Sequence, residues 1–183
     1  MSKKSKMTVL FAIAVIFICS CIVIRRSGEK GMERAALSLH QPMTTIAQVE
    51  KLDKNDAIVF YEWINTGEEY FGMARVKKNL FGWHFVGGST SAESKYHKFG
   101  WSYSDLEGAT LNYKGIYYGK IFDPEIERMT LKSRAGSEYS CQIIQYRAGE
   151  RFWFILTDKV EQSDSVVIAR SQDGEILGQY PSF

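Results

Sequence analysis

The sequence predicts an all-β fold: an antiparallel sandwich or barrel-like domain of about ten short strands, preceded by a membrane helix and one short amphipathic helix. Three observations carry this. Apolar residues make up 45% of the chain and aromatic residues 14%, the side chains that suit pleated, half-buried surfaces. Beyond Asp56, short apolar runs recur about every 8–12 residues between turn-forming Gly, Pro, Asn and Asp. Before Arg25, one long apolar run lies between basic residues.

Lys3, Lys4 and Lys6 precede that run, Met7 to Ile24, and Arg25 and Arg26 follow it. It approaches the ~20 residues that cross a hydrocarbon core of about 30 Å, with lysine and arginine stems covering the shortfall. Residues 1–24 are therefore expected to be a signal-anchor or transmembrane segment, passing once through the cell membrane. Ile18-Cys19-Ser20-Cys21 also resembles a bacterial lipobox with Cys21 as the lipidation site. Ile22, Val23 and Ile24 carry the apolar run past that cysteine, which favours an uncut helix over a processed lipoprotein. A short basic start with a single hydrophobic segment places the remainder on the outer face of the membrane.

Residues 25–41 are polar and small and lack a sustained apolar period, as a stalk would. Residues 42–183 are expected to form the extracytoplasmic β-rich domain. In "PMTTIAQVEKLDKND", Thr44 or Thr45 offers an N-cap, and Ile46, Val49 and Leu52 fall three apart on one side of a short helix. "AIVFYEWI" from Ala57 reads as a strand covered on both faces. The turn Asn65-Thr66-Gly67, then "YFGMARVKK", the turn Asn79 to Gly82 and "WHFVGG" continue it as a meander of hairpins. Ser89 to Lys98 reads as the longest loop. "FGWSYSDL" and "GIYYGKIF" are strands before the Asp123-Pro124 turn; "IERMTLKS", "EYSCQIIQYR", "RFWFIL", "SVVIAR" and "EILGQY" complete the set. In "RFWFIL" both alternating sets of residues are apolar, so that strand belongs in the middle of the core.

Two stretches, "VKKNLFGWHFVGG" at Val76 to Gly88 and "YYGKIFDPEIERM" at Tyr117 to Met129, occur here with "AIVFYE" upstream and "RFWFIL" and "ARSQDGEIL" downstream. Together they resemble a family of small membrane-anchored or secreted proteins of Gram-positive spore-forming bacteria. The resemblance spans about residues 45 to 180. It implies an extracytoplasmic location and one folded unit, and it brings no activity, catalytic residue or ligand with it.

A net charge of +2 with no dense Lys/Arg block in the folded part sets nucleic acid aside as a partner. Cys141 is the one cysteine beyond the apolar segment, so the domain closes no internal disulfide. His40, His84 and His97 have no second ligand at metal-binding spacing, and neither a metal nor a cofactor is expected. Strand alternation turns His84 away from Trp83 and Phe85. His97 lies near Ser89, Ser91, Glu93 and Ser94, the residue types of a nucleophile, base and acid, although no G-x-S-x-G elbow surrounds these serines. Glu125 and Glu127 alternate around Pro124 and would share a strand face. Trp101 and Tyr103 share a strand face beside the polar loop and, with His97, form the expected binding residues: a platform that stacks on a sugar ring or grips a protein. The expected function is that of a non-enzymatic, envelope-associated binding or accessory protein. Its partners would be the membrane and another envelope protein or a cell-wall glycan. The alternatives are a cell-wall-active hydrolase built on His97 and neighbouring Ser or Glu, and a membrane-tethered signalling partner.

Overall fold

The computed structural model describes residues 11, 13, 15, 28–38, 45–93, 96–106, 113–133, 136–158 and 165–180. The apolar run with Cys19 and Cys21 lies outside these residues, apart from Phe11, Ile13 and Val15, which are helical and exposed. His40 and Ser94 are also outside them. Among the described residues, no helix is long and apolar enough to cross a membrane.

The described residues from Gly28 onward form three antiparallel sheets and one short helix. Helix α1 is Glu29–Leu37. The first sheet joins β1 (Thr45–Lys51), β2 (Asp56–Asn65), β3 (Glu68–Asn79) and β4 (Gly82–Ala92) in sequence order. The second has β5 (Ser102–Asp105), β6 (Gly115–Ile121), β10 (Glu150–Thr157) and β9 (Gln142–Arg147) in that order. The third has β12 (Ile176–Tyr180), β11 (Val166–Arg170), β7 (Arg128–Lys132) and β8 (Glu138–Ser140). The chain forms two compact units, one of Met1–Gln41, Val49–Val59 and Ala74–Gly87, the other of Pro42–Gln48, Phe60–Met73 and Gly88–Phe183.

In the first unit, the segment expected to be a stalk carries α1, which buries Gly31, Met32, Ala35 and Ala36. Those positions recur at helical spacing. Two alanines and a glycine leave too narrow an apolar stripe to stand out in sequence. The helix expected at Thr45 to Leu52 is instead β1. Thr45, Ile46 and Val49 are β-branched, and a hairpin closes where the Leu52 and Asp53 amides donate to the Asp56 carbonyl at 2.9 and 3.1 Å. Pairing with β2 overrides the three-residue spacing. Asp56 is buried, and Arg75 grips it with two hydrogen bonds of 3.0 and 2.7 Å.

In the second unit, β10 is the central strand expected of "RFWFIL". Phe152 and Phe154 pack on Phe60, with ring centroids 4.8 and 5.0 Å apart. On the opposite face Trp153 joins a core with Tyr117, Met129, Leu131, Val167 and Ala169. Both faces of the second sheet are therefore covered, which requires both alternating sets to be apolar. "EYSCQIIQYR" splits into β8 and β9 at Cys141, whose amide donates to the Met129 carbonyl at 2.9 Å. The expected long loop is shorter, because β4 continues through Ala92. Ser89 and Ser91 share its half-buried face with Thr90 exposed between them, and Ser89 bonds Tyr118 Oη at 2.8 Å. Glu125 and Glu127 lie in the turn before β7 rather than on a strand face. The Glu125 amide bonds the Asp123 carboxylate at 2.9 Å there, which holds that carboxyl below its usual range, helped by Lys98.

The β2–β3 turn has φ of 48° at Thr66 and 87° at Gly67. Positive φ at both central positions is the type I′ geometry that suits hairpin twist. A β-branched residue is costly there, whereas asparagine tolerates it. Thr66→Asn is expected to stabilise the protein by about 1 kcal/mol, read as a higher denaturant midpoint. An unchanged or lower midpoint would show that the turn is not strained.

Candidate functional site

Strand β6, "GIYYGKI", is buried along its whole length, and it carries a lysine. Antiparallel pairing sets Lys120 opposite Phe152 and Gly119 opposite Trp153, so the two neighbours point to opposite faces of the sheet. The Lys120 ammonium meets Glu62 Oε1 at 2.6 Å and Glu150 Oε2 at 2.7 Å, with Glu69 Oε2 at 3.8 Å. Arg147 Nη2 reaches Glu62 Oε2 at 2.7 Å, and Tyr146 Oη donates to Glu62 Oε1. Burial alone would depress the Lys120 ammonium, but its hydrogen bonds to Glu150 and Glu62 outweigh that and hold its pKa above the ordinary lysine value. A lysine so paired stays protonated near neutrality and does not act as a nucleophile.

Glu93 connects this charged cluster to a cleft. It follows β4, and its amide donates to the Glu69 carbonyl at 2.9 Å. Desolvation pushes its carboxyl up to about 7; Lys120 opposes this, and Glu62 and Glu69 add to it. The cleft has a volume of about 470 Å³, within the range of small-molecule sites. Glu93, His97, Lys98, Trp101 and Tyr180 are among its lining residues, and the Trp101 and Tyr180 rings stand 5.1 Å apart at 38°. The indole Nε1 of Trp101 is buried with no hydrogen-bond partner among the described residues.

The backbone explains why Trp101 stands at this edge. The Gly100 amide donates to the Lys120 carbonyl at 2.7 Å, and the Gly100 carbonyl accepts from Trp153 Nε1 at 3.0 Å. Residues 99 to 101 thus lie across β6, where Gly119 supplies no side chain to hold them off.

Of the three expected binding residues, His97 and Trp101 both line the cleft. Tyr103 shares the face of Trp101 but packs on Tyr117, ring centroids 4.8 Å apart, outside the cleft lining. The hydroxyls of Ser89 and Ser91 are engaged with Tyr118 and with the Ala92 carbonyl. His84 is exposed between the half-buried Trp83 and Phe85, as strand alternation requires. Cys141 is buried, and desolvation pushes its thiol up to about 12, which makes it unreactive. Among the described residues, no group of His, Cys, Asp and Glu could hold a metal ion.

Sequence reasoning missed the charged cluster and Tyr180. The signal was present: "VFYEWI" and "YYGKIF" each place one charge inside an apolar strand run, and a buried charge requires a partner. No protein-family model, curated protein or solved structure shows significant similarity to the chain.

Proposed function

We propose that this chain is a membrane-tethered, extracytoplasmic β-domain that binds a cell-wall glycan in the cleft beside Trp101, without chemical turnover. The observation that carries the reading is the composition of that cleft. An aromatic pair, Trp101 and Tyr180, stands against Glu93, His97 and Lys98, which offers a ring-stacking wall and hydrogen-bonding groups together. The tether rests on the apolar run Met7 to Ile24 and its basic flanks, and a sandwich-like enclosure of the domain on its many short antiparallel strands.

Soluble peptidoglycan fragments titrated into the full chain are expected to bind saturably, and Trp101→Ala to weaken binding by about tenfold. Absence of saturable binding to the wild type overturns the reading. The manner of tethering is read from the mass of membrane-extracted protein. A full-length, unmodified mass supports an uncut anchor, whereas loss of everything before Cys21 with a lipid increment, abolished by Cys21→Ser, supports a lipoprotein.

One observation favours the hydrolase alternative. A carboxyl held near 7 in a cleft that a histidine also lines has the proton affinity of a general acid or base. Release of soluble products from wall fragments, abolished by Glu93→Gln, would replace the binding reading with that one.

A further inference from the structure

The vertex of the β3–β4 hairpin is two residues long, and those residues are Leu80 and Phe81. They are 88% and 78% exposed, and they are the only consecutive pair of exposed large hydrophobic residues among the described ones. The turn itself does not require them. Gly82 takes the positive φ of 110°, and Asn79 Oδ1 accepts from the Phe81 amide at 2.8 Å, so the geometry is supplied by the flanking Asn and Gly. Polar residues would serve the turn at least as well and would leave no apolar surface in water.

Cations surround the base of this vertex. Lys77 and Lys78 immediately precede it in β3, and the Lys78 amide donates to the Asn55 carbonyl at 2.8 Å, which brings the β1–β2 turn with Lys54 alongside. The neighbouring acids are largely engaged. Asp56 is buried against Arg75 with Lys77 at 3.8 Å, and Asp53 Oδ1 accepts from the Asn55 amide at 2.6 Å. An apolar tip above a basic collar matches an anionic membrane surface: acyl chains for the tip, phosphates for the collar. A protein interface of ordinary size takes about 800 Å² from each partner, more than two side chains on a convex point offer. A fluid bilayer closes around such a point instead. The backbone is prepared for low dielectric as well, because the Phe81 amide is already satisfied.

We propose that the β3–β4 vertex inserts into the interface of an anionic bilayer, with Leu80 and Phe81 reaching the acyl boundary and Lys54, Lys77 and Lys78 held at the headgroups. This is independent of the cleft. An anchor at residues 1–24 would raise the effective concentration of the vertex at the membrane without being required for its insertion.

The test uses the full chain carrying Cys19→Ser and Cys21→Ser, with Leu80→Cys labelled by an environment-sensitive fluorophore; Cys141 is buried and resists labelling. The probe is expected to shift to the blue and to be quenched by lipids brominated on their acyl chains. This should occur in vesicles of phosphatidylcholine with phosphatidylserine and much less with phosphatidylcholine alone. Phe81→Ser is expected to abolish the quenching, and Lys54→Gln with Lys78→Gln to lower the ratio of inserted to free vertex by more than about tenfold. An unquenched probe overturns the insertion, whether or not the chain floats with the vesicles. A probe already shielded in lipid-free protein also overturns it and points to a second copy of the chain. The tether is read separately: flotation of a Leu80→Ser/Phe81→Ser variant supports an N-terminal anchor even where insertion has failed, and its loss counts against the anchor alone.

Discussion

Lys120→Met is expected to destabilise the protein by about 3–5 kcal/mol, although it replaces a charged side chain with an apolar one of similar length on a buried strand. The reason lies in what remains. Glu62, Glu69 and Glu150 all direct carboxylate oxygens at the ammonium, and without it Arg147 is the cation still bonded to Glu62. Removing the cation leaves the largely buried Glu62 undercompensated, which costs more than the set contributes when complete, while Glu69 and Glu150, about a third exposed, are partly screened by water. Equilibrium denaturation at neutral pH reads the loss, and a variant within about 1 kcal/mol of the wild type would show that water reaches the carboxylates freely.

The same variant has a pH signature. Glu93 has its folded pKa raised from 4.5 to about 7, so across that window the native state binds more protons than the unfolded state. Stability therefore falls as the pH rises from 4.5 to about 7. Lys120 also has a raised folded pKa, so its slope has the same sign in a different window: its contribution is present below the ordinary value of 10.5 and is lost as the pH rises through the raised one. Lys120→Met removes the cation that opposes the upward shift of Glu93, so the decline that starts near 4.5 should continue to a higher pH than about 7. Glu93→Gln should flatten it. Unchanged pH profiles in both variants would show that the cluster and the cleft are electrostatically separate.

Strand content was legible wherever burial was two-sided or alternation strict, as in "RFWFIL" and around His84, because the period of the side chains is then imposed by the sheet itself. It was less legible at Thr45 to Leu52. Three apolar residues at helical spacing fit a helix by themselves, and only the hairpin with β2, unseen in the local sequence, makes them a strand. α1 was hidden for the converse reason: on its buried face Met32 is the one large side chain, and Gly31, Ala35 and Ala36 are too small to mark a stripe with it. At the site, Trp101 and His97 could be proposed from residue type and neighbourhood. The acids around Lys120 come from positions 58, 51 and 30 residues away, Glu62, Glu69 and Glu150, and no local pattern links them. The feature that was readable is a charge inside an apolar run.

Gly119→Ala should be the most damaging single methyl group in the second unit. A Cβ at Gly119 would fall on the Gly100 carbonyl, and backbone, unlike the end of a long side chain, has nowhere to go. Residues 99 to 101 would have to lift from β6. That movement strains or breaks the Gly100 hydrogen bonds to the Lys120 carbonyl and from Trp153 Nε1, the second of which leaves a buried indole donor unsatisfied. Overpacking and a lost buried partner together should cost about 3 kcal/mol or more. Gly100→Ala is the control. Its Cβ would meet Glu93 Oε2 at 2.7 Å, the far end of a flexible side chain that can turn aside, and the Lys120 backbone nitrogen at 3.3 Å, a contact that a shift of a few tenths of an ångström relieves. Gly100→Ala should therefore cost less than about 1 kcal/mol while moving Glu93 and altering the pH slope described above. Melting curves of the two variants separate the cases. Comparable stability losses in both would mean that the close approach of Gly100 to Gly119 does not hold the cleft wall in place.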